Sequence, residues 1–271
     1  MPASFVEFQF DRRQANSAKS GRRFIADKSN VAQINKRKVP MKKQILCLAL
    51  CALTTSLFAA DAKETLATAT KKLAASANYS WRTTVVVPES AQFKPGPTEG
   101  KTEKDGLAHF KMTIRDNTWD VVKKGDKATF TNQEGTWQTP AEVEGEEGRG
   151  RFIAGMVRGL KTPAAQAADL AAGAKELKQD GDAIAGDLTE EAAKDLLRFR
   201  RGGDGPAISG AKGSAKFWVK EGALTKFEFK LSGKMDFNGN EVDLERTTTV
   251  EIKEVGTTKL EVPEGAKQKL S

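Results

Sequence analysis

Apolar and polar residues alternate with a period of two along much of the chain, and the period lengthens to a helical one in only a few short stretches. From Leu107 to Ile114 the alternation is clean: Ala108, Phe110, Met112 and Ile114 share one face, and His109, Lys111 and Thr113 the other. The same two-sided pattern returns in Phe217 with Val219, in Phe227, Phe229 and Leu231, and in Val242, Leu244, Val250 and Ile252. Charged residues such as Lys226, Glu228 and Lys230 take the opposite positions. Strands with one apolar and one charged side belong to an antiparallel sheet that buries one face and wets the other.

The punctuation between these runs predicts the elements. Tyr79 to Val87 is a β-branched and aromatic strand stopped by Pro88, and Pro95-Gly96-Pro97 reads as a turn or loop. A meander follows from Thr98 to Gln138, turning at Asp116-Asn117, Lys124-Gly125-Asp126 and Glu134-Gly135. The last third is strand from Ala215 to Lys220, Leu224 to Gly233, Val242 to Val255 and Thr257 to Val262, after a glycine-rich, irregular stretch from Arg200 to Gly213. Helical spacing is confined to Lys63 to Ala77, Phe152 to Leu160, Pro163 to Leu170 and a segment ending at Leu197. In that last segment Thr189 is the N-cap and Glu190 and Glu191 occupy the first turn. Ala174 to Leu177 and Ala183 to Gly186 form a hairpin about Asp180-Gly181. The expected fold is α+β and mostly antiparallel β: a curved sheet forming an incomplete β-barrel, with a few short helices on its concave face.

A different signal precedes this domain. Met41-Lys42-Lys43 leads into an uncharged apolar run from Gln44 to Leu57, and Ala60-Asp61-Ala62 supplies a small-residue cleavage site. That order is a secretory signal, and its apolar part is too short for a bilayer span of about 20 residues. Residues 41–62 are therefore expected to be removed by cleavage after Ala62, with Ala60 as the alternative. Leu48-Ala49-Leu50-Cys51 approaches a lipid-attachment motif, but bulky Leu50 stands where a small residue is needed. Gly21-Arg22-Arg23 lies too far upstream of the apolar run to act as a twin-arginine signal. Residues 1–40 then read as a basic, non-structural extension ahead of a second start at Met41, and residues 63–271 as one exported domain, periplasmic or extracellular.

Dividing the chain this way changes the meaning of its charge. The full sequence has a net charge of +8, but residues 1–40 hold nine Lys/Arg against three Asp/Glu. Residues 63–271 hold 33 against 32, so no basic surface points to nucleic acid. Both cysteines, Cys47 and Cys51, fall in the signal, which leaves the domain without disulfides or thiolate ligands.

Four passages together resemble the periplasmic lipoprotein-carrier (LolA/LolB-like) superfamily and its mycobacterial lipid-binding relatives. They are the helix entering Tyr79-Ser80-Trp81; Val122 to Lys127 before Gly135-Thr136-Trp137; Gly186-Asp187-Leu188-Thr189 before a helix; and Phe217 to Lys226 before Thr247-Thr248-Thr249-Val250 and Val262-Pro263. The resemblance implies an open β-barrel whose apolar cavity, partly closed by helices, accepts acyl chains. No single cavity residue is carried over from it.

The residues themselves supply the candidates. Trp81, Phe110, Met112, Trp119, Phe130, Trp137, Phe217, Phe227 and Phe229 line a ligand cavity or else form ordinary core. Arg246 shares parity with Val242, Leu244, Val250 and Ile252, so it points inward to hold a carbonyl or phosphate at a cavity mouth, or sits at a strand end in water. His109, the single histidine, falls on the wet face of its strand and is read as solvated, without a Ser or Cys partner for a hydrolase triad. The acidic run Glu142, Glu144, Glu146, Glu147 and the Asp180-Gly181-Asp182 turn lack the ligand spacing of a calcium loop. Gly205 to Lys212 approaches a phosphate loop but places Ala211 where its lysine belongs, with no strand before it. The expectation is a non-catalytic protein, with no cofactor or metal, that carries a lipid or acyl-bearing ligand such as a lipoprotein. It is expected to be a monomer, to leave nucleic acid alone and to touch membranes only peripherally or transiently. The competing readings are a cell-envelope interaction or scaffold module with a filled core, and a carbohydrate enzyme built on two carboxylates.

Overall fold

The computed structural model describes residues 61–91, 94–114, 117–145, 149–198, 206–237 and 239–271. The basic extension, both cysteines and the export signal as far as Ala60 lie outside the described residues. Residues 61–74 are helical (α1), near the expected Lys63 to Ala77, and bury Ala62, Leu66, Ala69 and Leu73 in the main apolar cluster.

Six strands follow: β1 (Asn78–Val86), β2 (Pro95–Glu103), β3 (Leu107–Ile114), β4 (Asn117–Lys124), β5 (Lys127–Thr131) and β6 (Trp137–Gln138). Helices α2 (Arg149–Gly159) and α3 (Pro163–Gly173) lead to the hairpin β7 (Lys178–Asp180) and β8 (Ala183–Asp187). Helix α4 (Glu190–Leu197), three long strands β9 (Ile208–Lys220), β10 (Ala223–Phe237) and β11 (Asn240–Lys253), and α5 (Glu264–Leu270) complete the chain. The strands make one 11-stranded sheet in the order β6-β5-β4-β3-β2-β1-β11-β10-β9-β8-β7. Every pairing is antiparallel, and β6 and β7 are the open edges. The α+β, incompletely closed architecture is the one expected.

Two meanders thus meet where the first and last strands pair, from Ser80 opposite Lys253 to Val86 opposite Thr247. Register shifts between Leu224 and Lys226 and between Ser232 and Lys234 interrupt the β9–β10 ladder, the kind of irregularity that bends a strand and sharpens its twist. On the inner face, Phe217 and Phe227 are fully buried, with ring centroids 6.2 Å apart. Helix α4 packs over β9 and β10 there, burying Ala193 and Leu197. Its N-cap is Thr189, whose Oγ1 accepts the Ala192 N–H at 3.1 Å.

Four expectations are corrected. Pro95-Gly96-Pro97 opens β2 and is not a loop: the ladder to β3 skips from Pro95 to Thr98, so the missing N–H of Pro97 falls where no partner is required. Ile208 to Gly213, expected to be irregular, is the first half of β9. Its Gly213 gives room for neighbours, since a Cβ there would lie 2.8 Å from Leu231 and 2.9 Å from Leu188. Thr257 to Val262 forms no strand, because both edges of β11 are already taken by β1 and β10. Phe152, placed by spacing on the apolar face of α2, is 43% exposed, while Ile153, Ala154 and Val157 make the contact.

Helix α5 had no counterpart in the expected fold. It packs on β4, β5 and β6 from the outer side, where Lys127 Nζ donates to the Leu270 carbonyl at 3.1 Å. Trp137 meets it there: a Cβ on Gly265 would fall 2.5 Å from the indole. The result is a short strand buried on both faces, with Thr129 and Phe130 both inaccessible.

Candidate functional site

Over β9 and β10 the inner face is covered. Over β1 to β3 Trp81, Phe110 and Met112 are buried too, but the cover is incomplete beside them. A cavity of about 1320 Å³ lies between the inner face of β1–β3, parts of β10 and β11, helices α2 and α3, and the C-terminal end of α4. The space is a groove partly open to solvent and not an enclosed cavity.

One wall is aromatic and depends on a glycine. Trp81 of β1 and Phe110 of β3 form it, edge to face with centroids 5.3 Å apart, and Tyr79 of β1 packs behind Trp81 at 5.7 Å. Trp81 reaches Phe110 by lying directly over Gly100 of β2, where a Cβ would be 2.1 Å from its Cζ2 and 2.3 Å from its Cε2. A glycine inside a strand pattern is the sequence mark of such a close approach. Gly100 was not singled out in the sequence because its neighbours Glu99 and Lys101 give it no apolar context.

The helical side is tied to the sheet by polar contacts. The phenol of Tyr79 accepts the Ala164 N–H at the start of α3 (3.4 Å). Burial pushes the Tyr79 pKa up, against the opposing hydrogen bonds of Ala164 and Thr162, so the group is a neutral hydroxyl at physiological pH. Lys123 has the parity of Val121 and donates from Nζ to the Leu160 carbonyl at 3.0 Å and the Arg158 carbonyl at 3.3 Å. A cation is thereby placed at the C-terminal end of α2, where the helix dipole favours it.

At the opposite side of the cavity β1 has ended, and β11 continues with Arg246, Leu244 and Val242. Arg246 pairs in register with Leu231 and donates from Nη2 to the Leu196 carbonyl near the end of α4. Its Nε is buried without a hydrogen-bond partner among the described residues. Burial lowers its pKa from the ordinary value, yet a guanidinium stays charged. The water-exposed strand-end alternative does not describe this half-buried side chain.

The candidates therefore separate into two groups. Trp81, Phe110, Met112, Phe229 and Arg246 line the cavity. Trp119, Phe130, Phe217 and Phe227 are buried in the solid part of the core and are not among its lining residues. Trp137 lies on the outer face against α5. Parity identified the inner face but carried no information on which part of it a helix covers. Other wall residues, Met156 of α2 and Leu160 just after it, were read from the sequence only as a helix's apolar face.

The remaining polar groups are engaged in pairs. His109 is not simply solvated: its Nε2 lies 2.7 Å from Asp120 Oδ1, and the side chain is 14% exposed. Glu142 pairs with Lys269, Glu144 with Arg158 and Asp180 with Lys216, and Asp182 accepts the Trp218 indole N–H. Glu146 and Glu147 lie outside the described residues. No cluster of three or more His, Cys, Asp or Glu side chains able to hold a metal occurs among the described residues. Among the same residues no helix is long and apolar enough to cross a membrane.

No protein-family model matches the chain, and no curated protein matches its sequence. Solved structures similar to it include LprF from Mycobacterium bovis, at 10% identity and a TM-score of 0.42, over 76% of this chain and 97% of that one. The lipoprotein LppX of Mycobacterium tuberculosis is similar at 9% identity and the same TM-score, over 75% of this chain and 98% of that one. Likeness this distant transfers neither residues nor function.

Proposed function

We propose that this domain is a non-catalytic carrier that holds the apolar part of a lipid or acyl-bearing ligand in the cavity under β1–β3. The observation that supports the reading is the pairing of a space of about 1320 Å³ with walls that include Trp81, Phe110, Met112 and Phe229. Burying hydrocarbon contributes about 0.8 kcal/mol per methylene, so a fifteen-methylene chain gains about 12 kcal/mol gross. Association and ordering cost about 4–15 kcal/mol, so the net ranges from about 8 kcal/mol of binding to none, and the chain length decides which. Release then requires α2 and α3 to move away from the sheet, breaking the Lys123 and Tyr79 contacts at their ends. A filled scaffold would have no use for such a space.

The same proposal includes export through the signal at residues 41–62, delivery as a monomer to the periplasm or exterior, and only transient membrane contact. Of the two cleavage positions, that after Ala60 leaves helix α1 whole, with Ala62 buried. In mode of action the reading is that of the LolA/LolB-like carriers, extended from the sequence resemblance.

The test is direct. The protein purified without detergent should release lipid on organic extraction, seen by mass spectrometry, and should bind a fluorescent fatty acid with saturation. An empty extract together with no probe binding would end the carrier reading.

A further inference from the structure

Among the described residues, four cationic side chains line the cavity: Arg158, Lys161, Arg198 and Arg246. Three are neutralised locally, Arg158 by Glu144, Lys161 by Asp169 and Arg198 by Asp195. Arg246 has no carboxylate partner among the described residues. Of its five N–H donors, only one on Nη2 is given to a protein acceptor there, the Leu196 carbonyl, and Nε is buried with none. The acidic residues nearby do not compensate it. Glu241, Asp243 and Glu245 line the same cavity; Glu241 is paired with Lys234, while Asp243 and Glu245 have the opposite parity on β11, are exposed, and make no ion pair with Arg246. A half-buried, under-satisfied guanidinium at the wall of an apolar space is costly unless something completes its hydrogen bonds. A planar fork of donors matches the paired oxygens of a carboxylate or phosphate.

We infer that the cavity selects amphiphiles with an anionic head, whose carboxylate or phosphate oxygens are received by Arg246 while the chain runs towards Trp81 and Phe110. This rests on the carrier reading above and adds the ligand's head chemistry to it. The head sits beyond the end of β1, beside exposed Val242, and the tail occupies the aromatic side.

The experiment compares hexadecanoate, hexadecyl phosphate and hexadecanol, three ligands with one chain, by displacement of the uncharged probe N-phenyl-1-naphthylamine from the exported protein. The wild type should bind one or both anions about 10- to 100-fold more tightly than the alcohol, the range of a charge-assisted hydrogen-bonded pair. Preference for only the carboxylate or only the phosphate supports the proposal and identifies the head. Arg246→Gln should bring all three within about threefold of one another, with alcohol binding retained, and Arg246→Lys should keep part of the preference. If the wild type does not distinguish the three, the head assignment is overturned and the carrier reading stands. If the preference survives in Arg246→Gln, the assignment to Arg246 is overturned. If no chain displaces the probe, both readings go. Should Arg246→Gln fail to fold, the wild-type ranking and Arg246→Lys still decide.

Discussion

Gly100→Ala tests the packing argument most sharply, because it adds one methyl group at a place where the structure leaves no room for it. The new Cβ would stand 2.1 Å from Trp81 Cζ2, 2.3 Å from Cε2 and 2.7 Å from Cη2. Ordinary contact begins near 3.4 Å, so the indole has to shift by more than an ångström. Overpacking of this kind costs about 1–3 kcal/mol. The shift also disturbs the Tyr79–Trp81 and Trp81–Phe110 pairs, each worth about 0.5–1.5 kcal/mol beyond area burial. The expected destabilisation is about 2–6 kcal/mol in total. The backbone at Gly100 lies outside the left-handed region, so alanine is conformationally admissible. In a Trp81→Leu background, which lacks the six-membered ring over Gly100, the same substitution should cost nothing, or gain about 0.5–1 kcal/mol as glycine's extra chain entropy is removed. Urea unfolding of the four proteins gives the cycle, and near-ultraviolet circular dichroism reports the indole's environment. Equal costs for Gly100→Ala in both backgrounds would refute the claim that Trp81 is what the methyl group meets.

Phe227→Ala removes a fully buried ring stacked near Phe217 and should cost about 3–5 kcal/mol, read from the urea midpoint. Phe152→Ala, at a residue 43% exposed, should stay within about 0.5 kcal/mol. The Asp105 carboxylate is held below its ordinary value of 3.8 first by its hydrogen bond from Lys124 Nζ (2.7 Å) and then by the Leu107 N–H. A depressed folded pKa contributes stability that is present above the unfolded value and lost as pH falls through the folded one. The pair is half exposed on both sides, so solvent screening limits it to below about 1 kcal/mol. An NMR titration should therefore place the Asp105 midpoint under 3.8, and Lys124→Met should move it back up; an unchanged midpoint in that variant would remove Lys124 as the main cause.

Short-range pattern alone determined much of this protein. Strand β3, the cap at Thr189 before α4, the proline-led α3 and the inward parity of Trp81, Phe110, Phe217 and Phe227 all follow from residues within a few positions of one another. Local sterics and a two-residue or 3.6-residue period are enough to specify them. The tertiary structure decided the rest, because it depended on partners more than a hundred residues away. Only the pairing of β1 with β11 shows that the two meanders form one sheet, and that β11 has no free edge for residues 258–262. Trp81 and Phe217 look alike in sequence and both are buried, yet α4 settles over β9 and β10 and seals Phe217, while Trp81 lies at the edge of the space between α2, α3 and the sheet. Arg246 likewise has the parity of its valine and leucine neighbours, and its contact with the Leu196 carbonyl arises only because α4 ends beside β11. Periodicity tells a side chain which face it takes; whether that face meets another element or an empty space is set by where distant helices come to rest.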